Sequence, residues 1–217
     1  MDEPVITLEE VHFAYDAGRP VLCGVDFSLP RGRRLGLTGA NGSGKSTFLK
    51  LIVGLLRPTR GRVAVFGVER RGERCFLPVR QRIGFLFQDP DDQLFCPTVE
   101  EDVAFGPLNQ CRTPDEVRRL VRDALDRVGL AGFEERITHR LSGGEKRLVA
   151  LAGVLAMRPE VLLLDEPVSG LDEAAQQRIT AILRGLPHEM IVVSHDQEFL
   201  RAIGADTIRL HEGKLVP

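Results

Sequence analysis

The segment Gly39-Ala40-Asn41-Gly42-Ser43-Gly44-Lys45-Ser46-Thr47 constrains this chain most, because it follows the apolar run Leu35 to Thr38 and opens a helix predicted over Lys45 to Leu55. A G-x-x-x-x-G-K-[ST] match between strand and helix predicts a loop whose backbone amides wrap phosphate oxygens. Glycines let that backbone approach closely, the helix N-terminus adds positive potential, and Lys45 supplies a point charge for the β and γ phosphates. Ser46 is placed to ligate Mg²⁺ and Thr47 to contact the α phosphate. A glycine-rich turn before a helix is the simpler reading, but all the fixed positions match in context.

A second segment, Val161-Leu162-Leu163-Leu164-Asp165-Glu166, is a continuous apolar run ending in two acids. A buried strand delivers carboxylates to its C-terminal edge in this way. Asp165 would hold Mg²⁺ through water, and Glu166 would accept a proton from an attacking water as general base. Alone, the run is an ordinary strand with a solvated Asp-Glu turn; after a phosphate loop that reading loses ground. A third segment, Leu141-Ser142-Gly143-Gly144-Glu145, contains S-x-x-E and so predicts a capped helix start. Such a start also presents free amides and a positive dipole end to an anion. An ionised Glu145 facing phosphate would be repelled, so its side chain is expected to turn back toward the cap.

Between these segments the pattern changes twice. Strands are expected at Val5 to Leu8, Val11 to Tyr15, Val21 to Leu29, Leu35 to Thr38, Val63 to Phe66 and Ile83 to Phe87. From Thr98 onward helices are expected, since Thr98 with Glu101 and Thr113 with Glu116 form capping boxes, and Gly129 is a natural stop. Strand and helix then alternate: Val161 to Leu164, Ala174 to Leu183, Met190 to Val193, a short helix from Gln197, and Thr207 to Leu210. That alternation implies an α/β fold with a parallel sheet, interrupted by a helical lobe at about 89–157, within one composite domain spanning 1–217. The 29 Lys and Arg nearly balance 31 Asp and Glu, so no basic field recruits nucleic acid. The acidic start Met1-Asp2-Glu3-Pro4 is not a secretory signal, and Leu148 to Met157, the longest near-apolar stretch, is far short of the ~20 residues a membrane-crossing helix needs. Cys23, Cys75, Cys96 and Cys111 lack ligand spacing and read as reduced cytosolic thiols.

The order of the three motifs resembles the nucleotide-binding subunit of ATP-binding-cassette (ABC) transporters, with Glu145 where that family more often has Gln. The resemblance covers nearly the whole chain. It implies a P-loop NTPase of the ABC ATPase fold: a mostly parallel sheet core, an N-terminal antiparallel β subdomain and an inserted helical subdomain. It implies ATP and Mg²⁺ as ligands and a dimer in which Asn41 to Thr47 of one subunit and Ser142, Gly143 and Gly144 of the other enclose each ATP. It assigns Tyr15 to adenine stacking, Gln88 to Mg²⁺ and water, Asp172 to the loop crossing the dimer interface, and His195 to the γ phosphate. By themselves these four residues read as a strand aromatic, a strand-end amide, a loop acid and a polar cap.

The run Gln88-Asp89-Pro90-Asp91-Asp92-Gln93-Leu94-Phe95, followed by Thr98-Val99 and Asp102 to Pro107, is similar to the ATPases of energy-coupling-factor (ECF) importers. There it implies a groove for a coupling helix, with Asp91 and Asp92 rimming an apolar patch of Leu94 and Phe95. The implied partners are a second ATPase subunit, identical or paralogous, an integral membrane coupling subunit and a substrate-binding membrane component. The implied location is peripheral, on the cytoplasmic face of the cell membrane. Members serving shared vitamin-uptake modules often carry a C-terminal extension, and Pro217 closely follows the last expected strand; cobalt or nickel import (CbiO-like) is therefore expected ahead of biotin, another vitamin, or a soluble ABC ATPase.

Overall fold

The computed structural model describes residues 3–16, 18–110 and 112–216; the first two residues, Ala17, Cys111 and Pro217 lie outside them. Cys23, Cys75 and Cys96 are free thiols. Two sheets organise the chain. The first joins β1 (Ile6–Ala14), β2 (Pro20–Leu29), β4 (Arg60–Val65) and β5 (Val68–Glu69) in the order β2-β1-β4-β5, antiparallel throughout. The second contains β3 (Arg34–Thr38), β6 (Ile83–Leu86), β7 (Val161–Asp165), β8 (Glu189–Val193), β9 (Asp206–His211) and β10 (Lys214–Val216). Its order is β10-β9-β3-β8-β7-β6, parallel except at β10.

The central strands β7 and β8 are buried on both faces, which explains their continuous apolar runs. Val161 and Leu163 of β7, with Ile191 and Val193 of β8, face the core shared with the antiparallel sheet and α1 (Lys45–Ile52). Leu162, Leu164, Met190 and Val192 face the opposite core, shared with the helices. Each fully buried aliphatic side chain contributes about 1.5–3 kcal/mol, so these two strands are a main source of cohesion.

Between β6 and β7 the chain leaves the sheet and forms α3 (Val99–Asn109), α4 (Pro114–Arg127) and α5 (Gly143–Ala156). All three begin with complete capping boxes, at Thr98, Thr113 and Ser142. After β7 come α6 (Glu173–Gly185) and α7 (Gln197–Ala202).

Several local expectations need correction. The two strands expected before Tyr15 are one, bent at Glu10, which adopts φ 48. The first helix stops at Ile52 rather than Leu55, because Gly54 at φ 68 turns the chain and any Cβ there would strike the Phe76 ring. A helix not expected at all, α2 (Glu73–Arg82), carries Pro78 inside it and buries only Phe76 and Val79. The edge strands β5 and β10 were also not foreseen.

Candidate functional site

The strand order sets the site. β3, β8, β7 and β6 lie side by side and parallel, so their C-terminal ends form one edge. The loops leaving that edge carry Gly39 to Gly44, His195, Asp165 with Glu166, and Gln88 in that spatial order. In open parallel sheets, ligands bind at this edge.

A cleft of about 480 Å³ opens there, lined by Tyr15, Val21, Asn41, Gly42, Gly44, Lys45, Ser46, Thr47, Gln88, Asp165, Glu166 and Val193. A larger groove of about 740 Å³ lies between α6 and α7, but it is wider open, mostly apolar and contains no residue of the phosphate loop. Chemistry, not size, picks the first.

The loop's tight curvature demands glycine. Gly44, at φ 102, would place a Cβ 2.7 Å from Val21 Cγ1, and Gly39, at φ 147, would drive one into the Leu210 carbonyl. Lys45 is buried, and its ammonium donates to the Gly39 carbonyl at 2.9 Å and the Ala40 carbonyl at 3.0 Å. It therefore sits inside the loop's curve. The Tyr15 hydroxyl and Thr47 Oγ1 are 3.0 Å apart, while the Tyr15 ring is largely exposed and meets Phe13 edge-on at 4.9 Å.

Asp165 is 3% exposed, and its Oδ1 has no protein partner. Burial pushes its pKa up, opposed by a hydrogen bond from Ser46 and by the charges of Lys50, Lys45 and Arg147. Glu166 is also buried and stands at φ 47, a left-handed conformation that costs a non-glycine residue of order 1–3 kcal/mol. Its backbone amide donates to the Val193 carbonyl at 2.9 Å, which helps hold the turn against that strain. His195 Nδ1 lies 3.1 Å and 3.3 Å from the two Glu166 carboxylate oxygens, with the imidazole itself exposed. Ser46 Oγ, the Asp165 carboxylate and the Gln88 amide offer only oxygen donors of the kind a hard divalent cation takes. No cluster of three or more His, Cys, Asp or Glu suited to a metal occurs among the described residues, so such an ion would need further oxygens from phosphates and water.

The signature segment lies elsewhere. Ser142 and Gly143 are exposed at the start of α5, and neither they nor Gly144 line the cleft. A Cβ on Gly144 would sit 3.3 Å from Ala175 Cβ, so this helix start adjoins the start of α6. Glu145 turns back as expected: one carboxylate oxygen accepts from the Ser142 amide and hydroxyl, each at 2.8 Å, which lowers its pKa. Asp172 is exposed, and its side chain caps α6 by accepting from the Ala175 amide at 2.8 Å. The cleft thus gathers Asn41, Gly42, Gly44, Lys45, Ser46, Thr47, Tyr15, Gln88, Asp165 and Glu166, with His195 on its rim; Ser43, Ser142, Gly143, Gly144 and Asp172 do not line it.

Two features differ from the sequence reading. Asp91 is not a free acidic rim residue, because Lys146 Nζ lies 2.6 Å from it. The apolar patch beside it is larger than Leu94 and Phe95 alone, since Phe95, 65% exposed, meets exposed Phe105 of α3 edge-on at 4.8 Å. One functional candidate was missed. Arg147, 4% exposed, points behind the cleft at the Phe87 and Gln88 carbonyls, where the charges of Asp89, Asp165 and Glu166 partly offset its desolvation. Its only signal in the sequence was an arginine at the head of an apolar helical run.

Comparison with known proteins places these features in context. A family model described as ABC transporter matches residues 22–169. The chain is 43% identical over 217 residues to the energy-coupling factor transporter ATP-binding protein EcfA of Methanothermobacter thermautotrophicus, covering 98% of this chain and 70% of that protein. CbiO1 of Clostridium perfringens, part of the ABC transporter complex CbiONQ, superposes with a TM-score of 0.88 at 34% identity, over 100% of this chain and 88% of that one. A dimeric ATP-binding cassette in a post-hydrolysis state with ADP and Pi superposes with a TM-score of 0.89 at 27% identity, over 98% and 97% of the two chains.

Proposed function

The chain belongs to the ABC transporter family as an ATP-binding, ATP-hydrolysing subunit of the energy-coupling-factor kind, and from that premise we propose that it works as a dimer energising import of a transition-metal ion, cobalt or nickel. One observation carries the dimer: the cleft holds a phosphate loop and two buried acids, while the signature helix start, exposed at Ser142 and Gly143, does not line it on the same chain. Each ATP would therefore lie between the loop of one subunit and Ser142, Gly143 and Gly144 of its partner. The dimeric cassette with ADP and Pi supports this reading. The likeness to CbiO1, over the whole chain, supports a metal cargo ahead of a vitamin.

Within each site, Tyr15 would stack on the adenine, and Asn41 to Thr47 would present amides to the phosphates. Lys45 would exchange its loop carbonyls for the β and γ phosphates. Ser46, Asp165 and Gln88 would hold Mg²⁺, which would neutralise charge developing on the phosphate oxygens. The partnerless Asp165 Oδ1 fits that role. Glu166, released from His195, would take the proton of the attacking water, and His195 would turn to the γ phosphate. Asp172 would approach the other subunit beyond its cap. Closure would follow ATP binding and opening would follow cleavage, because the γ phosphate would bridge both subunits.

Replacing Glu166 by Gln tests the chemistry. Hydrolysis should fall about a hundredfold or more while an ATP-bound dimer accumulates; unaltered turnover would refute the assignment.

No helix among the described residues is long and apolar enough to cross a membrane. Attachment to the cytoplasmic face would thus run through an integral membrane partner, itself joined to a substrate-binding membrane component. The Phe95 and Phe105 pair, beside the groove lined by Leu94, Cys96, Pro97 and Ile137, is the proposed seat for that partner's coupling helix. Substituting both aromatics by Ser should lower transport per ATP by about tenfold while ATP turnover persists. Transport in vesicles at the wild-type ratio would exclude this seat. Identification of the membrane proteins and metal that co-purify decides between a metal importer and a biotin or other vitamin importer.

A further inference from the structure

Arg147 lies one turn beyond Ser142 on α5 and is nearly completely buried. Its Nη1 donates to the Phe87 carbonyl at 2.8 Å and its Nη2 to the Gln88 carbonyl at 2.5 Å. Two further ties join the same pair of segments. Gln93 accepts from the Phe87 amide at 3.1 Å and donates to the Ala150 carbonyl of α5 at 3.2 Å. Lys146 pairs with Asp91 at 2.6 Å. The chain leaving β6 is therefore fastened to the signature helix at three points within two turns of its start.

Cost and geometry single out Arg147 among the three. A guanidinium offers a planar fork of donors, which can hold two successive carbonyls in fixed relation; a lysine ammonium cannot impose that plane. A buried cation is expensive unless its partners are well placed; here the two carbonyls and the charges of Asp89, Asp165 and Glu166 offset part of that cost. Holding the carbonyls of residues 87 and 88 fixes the Gln88 Cα and hence the origin of its side chain, which lines the cleft with Ser46 and Asp165.

We propose that Arg147 is a positioning residue that locks Gln88 to the signature helix, so that Gln88 in one nucleotide site and Ser142, presented to the other, advance and withdraw as one rigid piece. The assignment rests on the composite-site reading above. It adds a mechanical link between the two sites: through Arg147, displacement of a signature helix by one ATP moves the glutamine serving the other.

The test is a double-mutant cycle on the full chain, assayed for steady-state ATP hydrolysis at concentrations where turnover per subunit no longer rises. Arg147→Met should lower kcat by about tenfold with KM for ATP changed less than about twofold, because ATP binding by the phosphate loop is untouched. Arg147→Lys, which keeps the charge and hydrogen-bond donors but loses the planar fork, should recover part of that loss. Combined with Gln88→Ala, Arg147→Met should add less than about a twofold further loss, because both changes remove the same function. Should Arg147→Met not fold, Arg147→Lys carries the same cycle with a smaller drop. The proposal is overturned if the Arg147 variants keep wild-type kcat, if KM rises in step with the loss, or if the loss multiplies undiminished on Gln88→Ala. Failure of the underlying reading shows differently, as normal hydrolysis by Glu166→Gln.

Discussion

Glu166 illustrates what a single position can store. Its left-handed backbone and its contact with His195 at 3.1 Å hold a buried carboxylate at the sheet edge. Neither the strain nor the pairing could be read from the letters Asp-Glu, although the acids themselves stood out after their apolar run. His188 was equally silent. It is half-buried, and desolvation lowers its pKa, with a backbone interaction at Pro159 opposing. A histidine kept neutral by burial leaves the folded state under-protonated relative to the unfolded chain, so stability is full above the ordinary histidine range and falls as pH drops below about 6.5. The Tm of wild type should therefore fall more between pH 7.5 and 5.5 than that of His188→Gln; parallel declines would assign the acid sensitivity to other groups.

Helix starts were the most legible elements, because a capping box is a local device whose donors and acceptors all lie within four residues. Thr98, Thr113 and Ser142 each close one. Thr98→Ala should cost about 1 kcal/mol, seen as a lower midpoint in urea. Elements stabilised by distant contacts were not legible. In α2, Pro78 argues against a helix locally, yet Phe76 and Val79 anchor it to the core and Arg80 donates to the Val53 and Gly54 carbonyls. Gly84 makes the complementary point within a strand: a Cβ there would overlap Val154 of α5 and come within 3.0 Å of Leu162 Cδ2. Gly84→Val should force β6 away from the signature helix and destabilise by about 1–3 kcal/mol or more. A midpoint unchanged from wild type would mean that α5 can retreat freely.

Across the molecule, the proposed function depends on a second chain, and this too is measurable. A Cβ added at Gly143 would meet no atom within 4 Å, so Gly143→Asp should leave the fold intact while placing a carboxylate where the partner's γ phosphate would lie. In a homodimer, Gly143→Asp and Lys45→Ala should each be nearly inactive alone. Mixed in equal amounts they should regain roughly a quarter of wild-type hydrolysis, since half the dimers then hold one intact site built from the good loop of one chain and the good signature of the other. No recovery on mixing would place both halves of a site within one subunit.

Local chemistry carried in a few residues was decided by the sequence itself: a loop that only glycine can curve, a lysine and serine at the helix it opens, acids ending an apolar strand, and caps that close within one turn. These rely on neighbours in the chain, so they survive in a one-dimensional reading. The order β3-β8-β7-β6, the clasp of His195 on Glu166, the exclusion of the signature from its own chain's cleft and the fork of Arg147 on two carbonyls were decided only by the tertiary structure. Each joins residues far apart in sequence, and it is burial in a shared core that sets which of them meet.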